Sequence, residues 1–222
     1  MARTLLAGFF LVLIGAGPAV AQGRPTAALR PVVEADAVHP GTSARVALVV
    51  TLPPNLHVQS NQPRDRDLIP TALAIEPVPG VTVSHIVYPP AMDFAQIGQR
   101  EPLLVFPHEF AVAAELAVGA SVAPGDLTLR GRFRYQACDD RGCFGPITVP
   151  VEWTLKVVAA STPVTPVNRA LVAGVGGGDR VDGAAALAAL PPGAAPRPAS
   201  SAAGAASALA RLDRFTILAT EG

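Results

Sequence analysis

The sequence lacks an excess of charge of either sign, and this absence narrows the classes of partner that the protein can bind. Its 222 residues include 17 lysines and arginines and 17 aspartates and glutamates, so the formal net charge is zero. Electrostatic binding of nucleic acid or of an anionic membrane surface needs a basic excess. We therefore expect no nucleic-acid partner.

Motifs for nucleotide binding, hydrolysis and metal binding are also missing. The glycine-rich segment "AGVGGGD" (173–179) has no strand pattern before it and no helix pattern after it, which excludes a dinucleotide-binding loop. No arrangement of serine, carboxylate or phosphate-loop residues suggests hydrolysis. The four histidines do not have the close spacing of zinc or copper motifs; they are His39, His57, His85 and His108. We expect no metal and no other cofactor.

Long hydrophobic runs are scarce, and the one clear example lies at the start of the chain. A short basic start precedes the apolar run "LLAGFFLVLIGAG" (5–17), and small residues follow at 19–21. This pattern is typical of a secretory signal peptide over residues 1–21, cleaved after Ala21. The alternative is an uncleaved anchor, although the run is short for a membrane span. We expect an exported chain that is soluble after cleavage.

Helical periodicity is nearly absent from the rest of the chain, whereas alternation with period two is frequent. Clear alternation occurs at 44–52, 126–137 and 147–157, where apolar residues occupy every second position. Such alternation predicts half-buried strands. Shorter candidate strands lie at 31–38, 56–60, 71–76, 81–88 and 102–113, with prolines and glycines between them. The pattern predicts an all-β, immunoglobulin-like antiparallel β-sandwich, with Trp153 facing inward.

Composition divides the exported chain into three parts. Residues 22–30 are predicted to be a short leader, and residues 31–158 a single domain of ordinary size. Residues 159–222 are rich in Ala, Gly, Pro and Ser, so we expect a flexible linker or tail. Within that tail, residues 201–212 either form a short alanine-rich helix or remain coil.

The chain has only two cysteines, and both lie in "YQACDDRGCF" (135–144) with C-x4-C spacing. They fall between the last two long strands, at the predicted tip of a hairpin, and an oxidising compartment favours their pairing. A disulfide that closes so short a loop contributes only about 2 kcal/mol, and the strand ladder already holds the ends close. A structural bridge and an exchange-active pair both remain open on spacing alone.

The charges around the two cysteines predict different roles if the pair is active. Asp139 and Asp140 oppose a thiolate at Cys138, whereas Arg141 and the backbone amides around Gly142 favour one at Cys143. Cys143 is then the exposed, partner-facing sulfur and Cys138 the resolving one.

The cysteine hairpin and the strand after it, "RYQACDDRGCFGPITVPVEWTL" (134–155), resemble the N-terminal periplasmic domain of the thiol–disulfide interchange protein DsbD family. The segments "NLHVQSNQPRDRDLIPTAL" (55–73) and "GVTVSHIVYPP" (80–90) are similar to earlier parts of that domain, so the resemblance covers residues 31–158. The cysteine spacing is one residue shorter here than in the best-known members.

The resemblance implies a periplasmic electron relay that uses both cysteines as catalytic residues. In the family, a thioredoxin-like domain, charged through a membrane domain, donates reducing equivalents to this domain. Oxidised periplasmic thiol proteins such as disulfide isomerases accept them, and partners attack the second cysteine. This chain lacks the family's membrane and thioredoxin-like domains, so we consider a fragment, a truncated product and a stand-alone carrier. The alternative function is a non-catalytic secreted β-sandwich that binds partners and keeps a structural disulfide.

The family shields its disulfide with a mobile cap loop that carries an aromatic residue. The matching stretch is "AMDFAQIG" (91–98), called here the cap segment, with Phe94 as the first choice of shield and Ile97 as the second. The alternative for Phe94 is ordinary core packing. His57 falls where the family places aromatic or histidine side chains near the active cysteines, and the alternative is an ordinary surface or core histidine.

Two aromatic residues, Tyr135 and Phe144, flank the cysteines in sequence. We consider them as packing around the site, with ordinary core packing as the default.

Overall fold

The computed structural model describes residues 24–190, and the expected signal peptide and the predicted helix or coil at 201–212 lie outside them. Within this range the chain forms twelve strands and two short helices. In chain order these are β1 (Ala28–Val33), β2 (Ser43–Thr51), β3 (His57–Gln59), β4 (Ala72–Ile75), β5 (Val81–Val87), β6 (Met92–Phe94), β7 (Leu103–Phe106), β8 (Glu109–Val118), β9 (Gly125–Tyr135), β10 (Ala137–Cys138), β11 (Ile147–Val157), α1 (Arg169–Ala173), β12 (Arg180–Asp182) and α2 (Gly183–Ala189).

The strands form three antiparallel sheets. The first has the order β1-β2-β8-β5-β12, the second β10-β3-β7-β6 and the third β11-β9-β4. Every pairing between these strands is antiparallel. The expected all-β antiparallel sandwich is confirmed.

The alternation seen in the sequence places one face of each long strand in the core. Along β9, Leu129, Phe133 and Tyr135 are fully buried. Trp153 on the neighbouring β11 is 2% exposed, and its indole Nε1 donates a hydrogen bond to the carbonyl oxygen of Ala47 on β2, at 2.8 Å. The tryptophan therefore links the three-stranded and five-stranded sheets across the core, as its inward-facing position predicted.

The domain begins earlier than the sequence analysis predicted. Strand β1 starts at Ala28, inside the expected leader of residues 22–30, and pairs with β2 along its whole length. Just before it, the backbone N–H of Ala27 donates to the hydroxyl of Tyr135 at 2.8 Å. Residues 27–30 thus belong to the folded domain, because β1 covers an edge of the five-stranded sheet that would otherwise be unpaired.

The prediction of a flexible linker is also wrong for residues 159–190. Helix α1 places Val172, with the nearby Val175, against the outer face of the five-stranded sheet, where they join a second buried cluster. Strand β12 extends that sheet by pairing with β5, and the guanidinium of Arg180 forms an ion pair with Glu115 on β8. The five-stranded sheet is therefore covered on both faces.

Glycine and alanine allow this segment to lie close to the sheet. A Cβ at Gly178 would collide with the backbone of Tyr88 and Pro89, and one at Gly183 with the backbone of Val83. The small residues that suggested flexibility are used here for close backbone approach. No helix within residues 24–190 is both long and apolar enough to cross a membrane.

Candidate functional site

Cys138 and Cys143 are joined as a disulfide, with their Cα atoms 4.0 Å apart. The long β9–β11 hairpin ends at the Tyr135–Ile147 pair, and both cysteines lie in the connection between those strands. They are not at a simple hairpin tip, because β10 leaves the three-stranded sheet and pairs with β3 in the four-stranded sheet. The site therefore lies where the chain passes from one sheet to another.

The cysteine loop, residues 138–143, is closed by backbone hydrogen bonds as well as by the disulfide. The N–H of Asp139 donates to the carbonyl of Gly142 at 2.9 Å, and the N–H of Phe144 donates to the carbonyl of Ala137 at 2.8 Å. These bonds flank the bridge between the two cysteines. The loop is thus a small hairpin of its own.

The two cysteines differ sharply in exposure. Cys138 is 0% exposed because β10 buries it beside β3, whereas Cys143 lies on the exposed side of the loop. An attacking thiolate needs a path to the sulfur. Of the two cysteines, only Cys143 is exposed to a macromolecular partner in solvent, and the exchange roles expected from the sequence stay predictions.

One reason given for a thiolate at Cys143 is wrong. The backbone N–H groups of Arg141 and Gly142 both donate to Oδ1 of Asp139, each at 2.8 Å. These two bonds are the main causes that lower the pKa of the Asp139 carboxyl below its usual value. The amides expected to favour a Cys143 thiolate are therefore used by Asp139, which keeps a negative charge within the loop.

The cap segment lies against the cysteine loop, although its first part is strand β6 and not loop. Gln96 is 8% exposed, and its side-chain Nε2 donates to the carbonyl of Asp139 at 3.3 Å. The N–H of Ile97 donates to the carbonyl of Asp140 at 3.2 Å. Two contacts thus connect the cap segment with the loop that carries the disulfide.

The two candidate shields in the cap segment face different ways. The ring of Phe94 is half-buried and lies 4.1 Å from the imidazole of His57, measured between ring centroids. Ile97 is 70% exposed, so its side chain faces solvent. Of the two, only Phe94 packs against His57, the residue opposite Cys138, and its role as a shield stays a prediction.

His57 is brought next to the disulfide by strand pairing. It is the register partner of Cys138 and is 5% exposed. Burial lowers the pKa of the imidazole below 6.5, and the opposing attraction of the Asp139 carboxylate is the smaller effect. Its Nε2 is buried without a hydrogen-bond partner. A neutral imidazole whose Nε2 has no hydrogen-bond partner is therefore carried by the residue directly opposite Cys138 in the strand pairing.

Tyr135 and Phe144 belong to the core. The Tyr135 side chain is fully buried and stacks on Phe133, with 5.5 Å between ring centroids. Phe144 is partly buried and packs against the main hydrophobic cluster. Both side chains thus pack in the core, as the default for these residues expected.

Sequence reasoning missed Gln59, which lies beneath the disulfide. The Gln59 side-chain Nε2 donates to Sγ of Cys138 at 3.4 Å and to Sγ of Cys143 at 3.8 Å, and the residue is fully buried. The available signal was the spacing of His57 and Gln59 on one face of a short strand. That signal was ambiguous, because polar residues at alternate positions usually mark a solvent-facing side.

The fold and the site define an all-β sandwich domain with one surface disulfide. One of the two cysteines is buried and the other is exposed. A disulfide is typical of proteins in an oxidising compartment, outside the cytosol. Among residues 24–190, no group of three or more His, Cys, Asp or Glu side chains is arranged to hold a metal ion.

Comparison with known proteins gives only distant structural similarity. No protein-family model and no curated protein matches the chain. The N-terminal periplasmic domain of ScsB from Proteus mirabilis is similar at 14% identity and a TM-score of 0.39, over 59% of this chain and 46% of that one. AggA, the major subunit of aggregative adherence fimbriae type I from Escherichia coli, is similar at 10% identity and a TM-score of 0.28, over 61% of this chain and 97% of that one.

A third structure, a family 123 glycoside hydrolase from Clostridium perfringens, is similar at 9% identity and a TM-score of 0.27, over 61% of this chain and 28% of that one. With 46% of the ScsB structure covered, the chain spans less than half the length of that structure. Similarities this weak do not bear on function, which must be argued from the site.

Proposed function

We propose that this protein is a periplasmic thiol–disulfide exchange domain. It takes reducing equivalents from a thioredoxin-like donor and passes them, through Cys138 and Cys143, to oxidised periplasmic proteins such as a disulfide isomerase. The observation that carries the proposal is the asymmetry of the disulfide, with Cys143 exposed and Cys138 fully buried. The resemblance of residues 134–155 to the DsbD family supports the same function.

Reduction of the domain begins at the exposed sulfur. A donor thiolate attacks Sγ of Cys143, a new disulfide forms between donor and Cys143, and the electron pair of the broken bond leaves on Cys138 as a thiolate. The donor's second thiolate then attacks the donor sulfur of the mixed disulfide and expels Cys143 as a thiolate. The donor is oxidised by two electrons and the domain is reduced by two.

Delivery follows the reverse path. The Cys143 thiolate attacks the partner's disulfide, forms a mixed disulfide and expels one partner thiolate. The Cys138 thiolate then attacks Sγ of Cys143, restores the intramolecular disulfide and expels the second partner thiolate. Burial of Cys138 suits this resolving role, because a buried sulfur is out of reach of a macromolecular partner but remains beside Cys143.

The cap segment fits a domain that must limit unwanted exchange. The Phe94 ring packs on His57 beside the disulfide, and Gln96 hydrogen-bonds the cysteine loop. Such a cover slows reaction with small thiols while a docking partner displaces it. Phe94→Ala is expected to speed reduction of the disulfide by glutathione, with Ile97→Ala, an exposed position in the same segment, as the control.

The decisive experiment is trapping of a mixed disulfide. The full chain carrying Cys138→Ser is activated at Cys143 with Ellman's reagent and mixed with a thioredoxin variant that lacks its resolving cysteine. We expect displacement of the aromatic thiolate and a stable adduct through Cys143, identified by mass spectrometry. The matched Cys143→Ser chain leaves only the buried Cys138, and we expect no adduct from it.

Failure of both single variants to form adducts argues against the proposal and for the alternative function, a binding module with a structural disulfide. The reduction potential separates the two functions independently. Structural disulfides typically have potentials below about −300 mV, whereas an exchange pair that thioredoxin can reduce lies near or above about −270 mV.

A further inference from the structure

Gln59 is a buried amide whose donor group meets the reacting sulfurs. Its Nε2 lies 3.4 Å from Sγ of Cys138 and 3.8 Å from Sγ of Cys143, and the side chain is fully buried. Its Oε1 is also buried and has no hydrogen-bond partner. Native proteins seldom bury an amide that is only half satisfied, and a redox or catalytic role is one physical explanation for such a group. The donor end of the Gln59 amide is therefore directed at the two sulfurs.

The backbone on both sides of Gln59 fixes this position. Strand β3 lies between β10, which carries Cys138, and β7, where Val105 is the register partner of Gln59. The carbonyl of Gln59 accepts a hydrogen bond from the hydroxyl of Thr71 at 2.5 Å. His57 is directly opposite Cys138 in the strand pairing. Gln59 is therefore the diagonal neighbour of Cys138 on the same face, a separation that a long side chain can span. The donor is therefore held in place before any reaction starts.

We propose that Gln59 is a catalytic residue that hydrogen-bonds the Cys138 sulfur when it leaves as a thiolate. The inference rests on the exchange function proposed above. When a thiolate attacks Cys143, the S–S bond breaks and its electron pair goes to Cys138, which acquires a full negative charge. The Gln59 amide N–H donates to that charge, and no proton is transferred.

The buried position of Cys138 makes such a donor necessary. A thiolate in apolar surroundings is disfavoured, which raises the pKa of the thiol and makes it a poorer leaving group. The nearby backbone amides of Arg141 and Gly142 are already bound to Asp139. Within the described part of the chain, the side-chain N–H of Gln59 donates to both sulfurs.

The test measures the disulfide without a protein partner. Oxidised full-length chains are reduced with dithiothreitol, and the second-order rate constant is compared among wild type, Gln59→Met and Gln59→Leu. Both substitutions put an apolar side chain in place of the glutamine and so remove the donor. Because hydrogen bonds to charged groups are the stronger class, we expect the rate to fall about tenfold in both variants. Tyr88→Phe is the control, since it removes a buried hydrogen bond that the Leu73 N–H donates to the Tyr88 hydroxyl, away from the disulfide.

A second measurement uses the native glutamine and so does not depend on the variants folding. In the reduced wild-type chain, the side-chain amide signals of Gln59 are followed by NMR as the pH rises. We expect them to shift together with thiolate formation at Cys138, which is assigned by the same titration in Cys143→Ser.

The inference is overturned if both Gln59 variants fold and are reduced within about twofold of the Tyr88→Phe rate, or if the amide signals do not follow Cys138. Its failure differs from failure of the exchange function. Dithiothreitol reduction and the titration contain no thioredoxin, so a lost adduct in the trapping experiment leaves them unchanged, and a normal adduct with an unchanged rate removes only the role of Gln59.

Discussion

Reduction of the Cys138–Cys143 disulfide is expected to cost little stability. The cysteines are five positions apart, so the disulfide closes a loop of six residues. The chain-entropy model gives about 2 kcal/mol for a loop of that size, near the lower end of the range for native disulfides. The β9–β11 ladder contains eleven register pairs and none of them needs the disulfide to form. We therefore expect the reduced domain to remain folded, less stable by about 2 kcal/mol.

Urea unfolding of the oxidised and the dithiothreitol-reduced chain measures this difference directly. The single tryptophan, Trp153, is buried in the core and reports unfolding by fluorescence. With an unchanged slope, the shift of the midpoint gives the change in the free energy of unfolding. The control is Cys138→Ala/Cys143→Ala with and without dithiothreitol, where the reagent should have no effect.

The same difference in the free energy of unfolding also fixes how far folding shifts the reduction potential of the disulfide. For a two-electron couple about 30 mV corresponds to 1.4 kcal/mol, so folding lowers the potential of this pair by only about 45 mV relative to the unfolded chain. A small shift leaves the pair accessible to physiological dithiols, as an exchange function requires. A loss of about 4 kcal/mol or more on reduction, comparable to that of a stabilising disulfide in a small secreted domain, would refute this reasoning.

Three further predictions concern the cysteines, His57 and the segment after the sandwich. In the reduced protein, iodoacetamide should label Cys143 before Cys138, because only Cys143 is exposed; peptide mass spectrometry gives the order, and equal labelling would contradict it. Since burial lowers the pKa of His57 in the folded state, the unfolded chain binds the proton first, and stability should fall as the pH drops below about 6.5. His57→Gln should reduce that dependence in urea midpoints measured across pH 5 to 8, and an unaltered profile would contradict the assignment. Gly178→Ala should destabilise the domain by about 1–3 kcal/mol through overpacking, whereas Gly142→Ala, where a Cβ meets no atom within 4 Å, should be near neutral.

The strands were predictable because their alternation is a local property. The apolar positions of 126–137 and 147–157 fall on the core face as expected, and Leu129, Phe133 and Trp153 are buried there. Period two reports which face of a strand is buried, and it needs no knowledge of the partner strand. It does not report which strands pair, so the departure of β10 to the four-stranded sheet was not predictable.

The structure of residues 159–190 could not be read from composition, because glycine serves two opposite purposes. A glycine-rich stretch is typical of a flexible linker, yet at Gly178 and Gly183 the missing side chain allows the backbone to lie against β5. A second signal was present in β2, where Ala47 and Val49 alternate with core residues and are themselves buried. A strand apolar on both faces predicts cover on both sides, and residues 159–190 provide it.

The site residues also divide into those that sequence proximity identified and one that it missed. Sequence proximity correctly brought the two cysteines together, but it also suggested Tyr135 and Phe144, which face the core. Gln59 lies far from both cysteines in sequence, and strand pairing alone places it beneath them. The alternation of His57 and Gln59 was an ambiguous local signal, and a contact made through a strand ladder needs the fold to identify it.

The different roles of the two sulfurs follow from the point at which the chain changes sheets. After Tyr135 the chain leaves the three-stranded sheet, and β10 buries Cys138 against β3; the return toward β11 then carries Cys143 outside. Strand β3 supplies His57 and Gln59, and β6 in the same small sheet forms the first part of the cap segment. Because these parts share the four-stranded sheet, a redox change at the disulfide should loosen that sheet first. Hydrogen exchange in the reduced protein should therefore rise in β3 and β10 before it rises in the β9–β11 ladder, and a uniform rise across all three sheets would contradict this account.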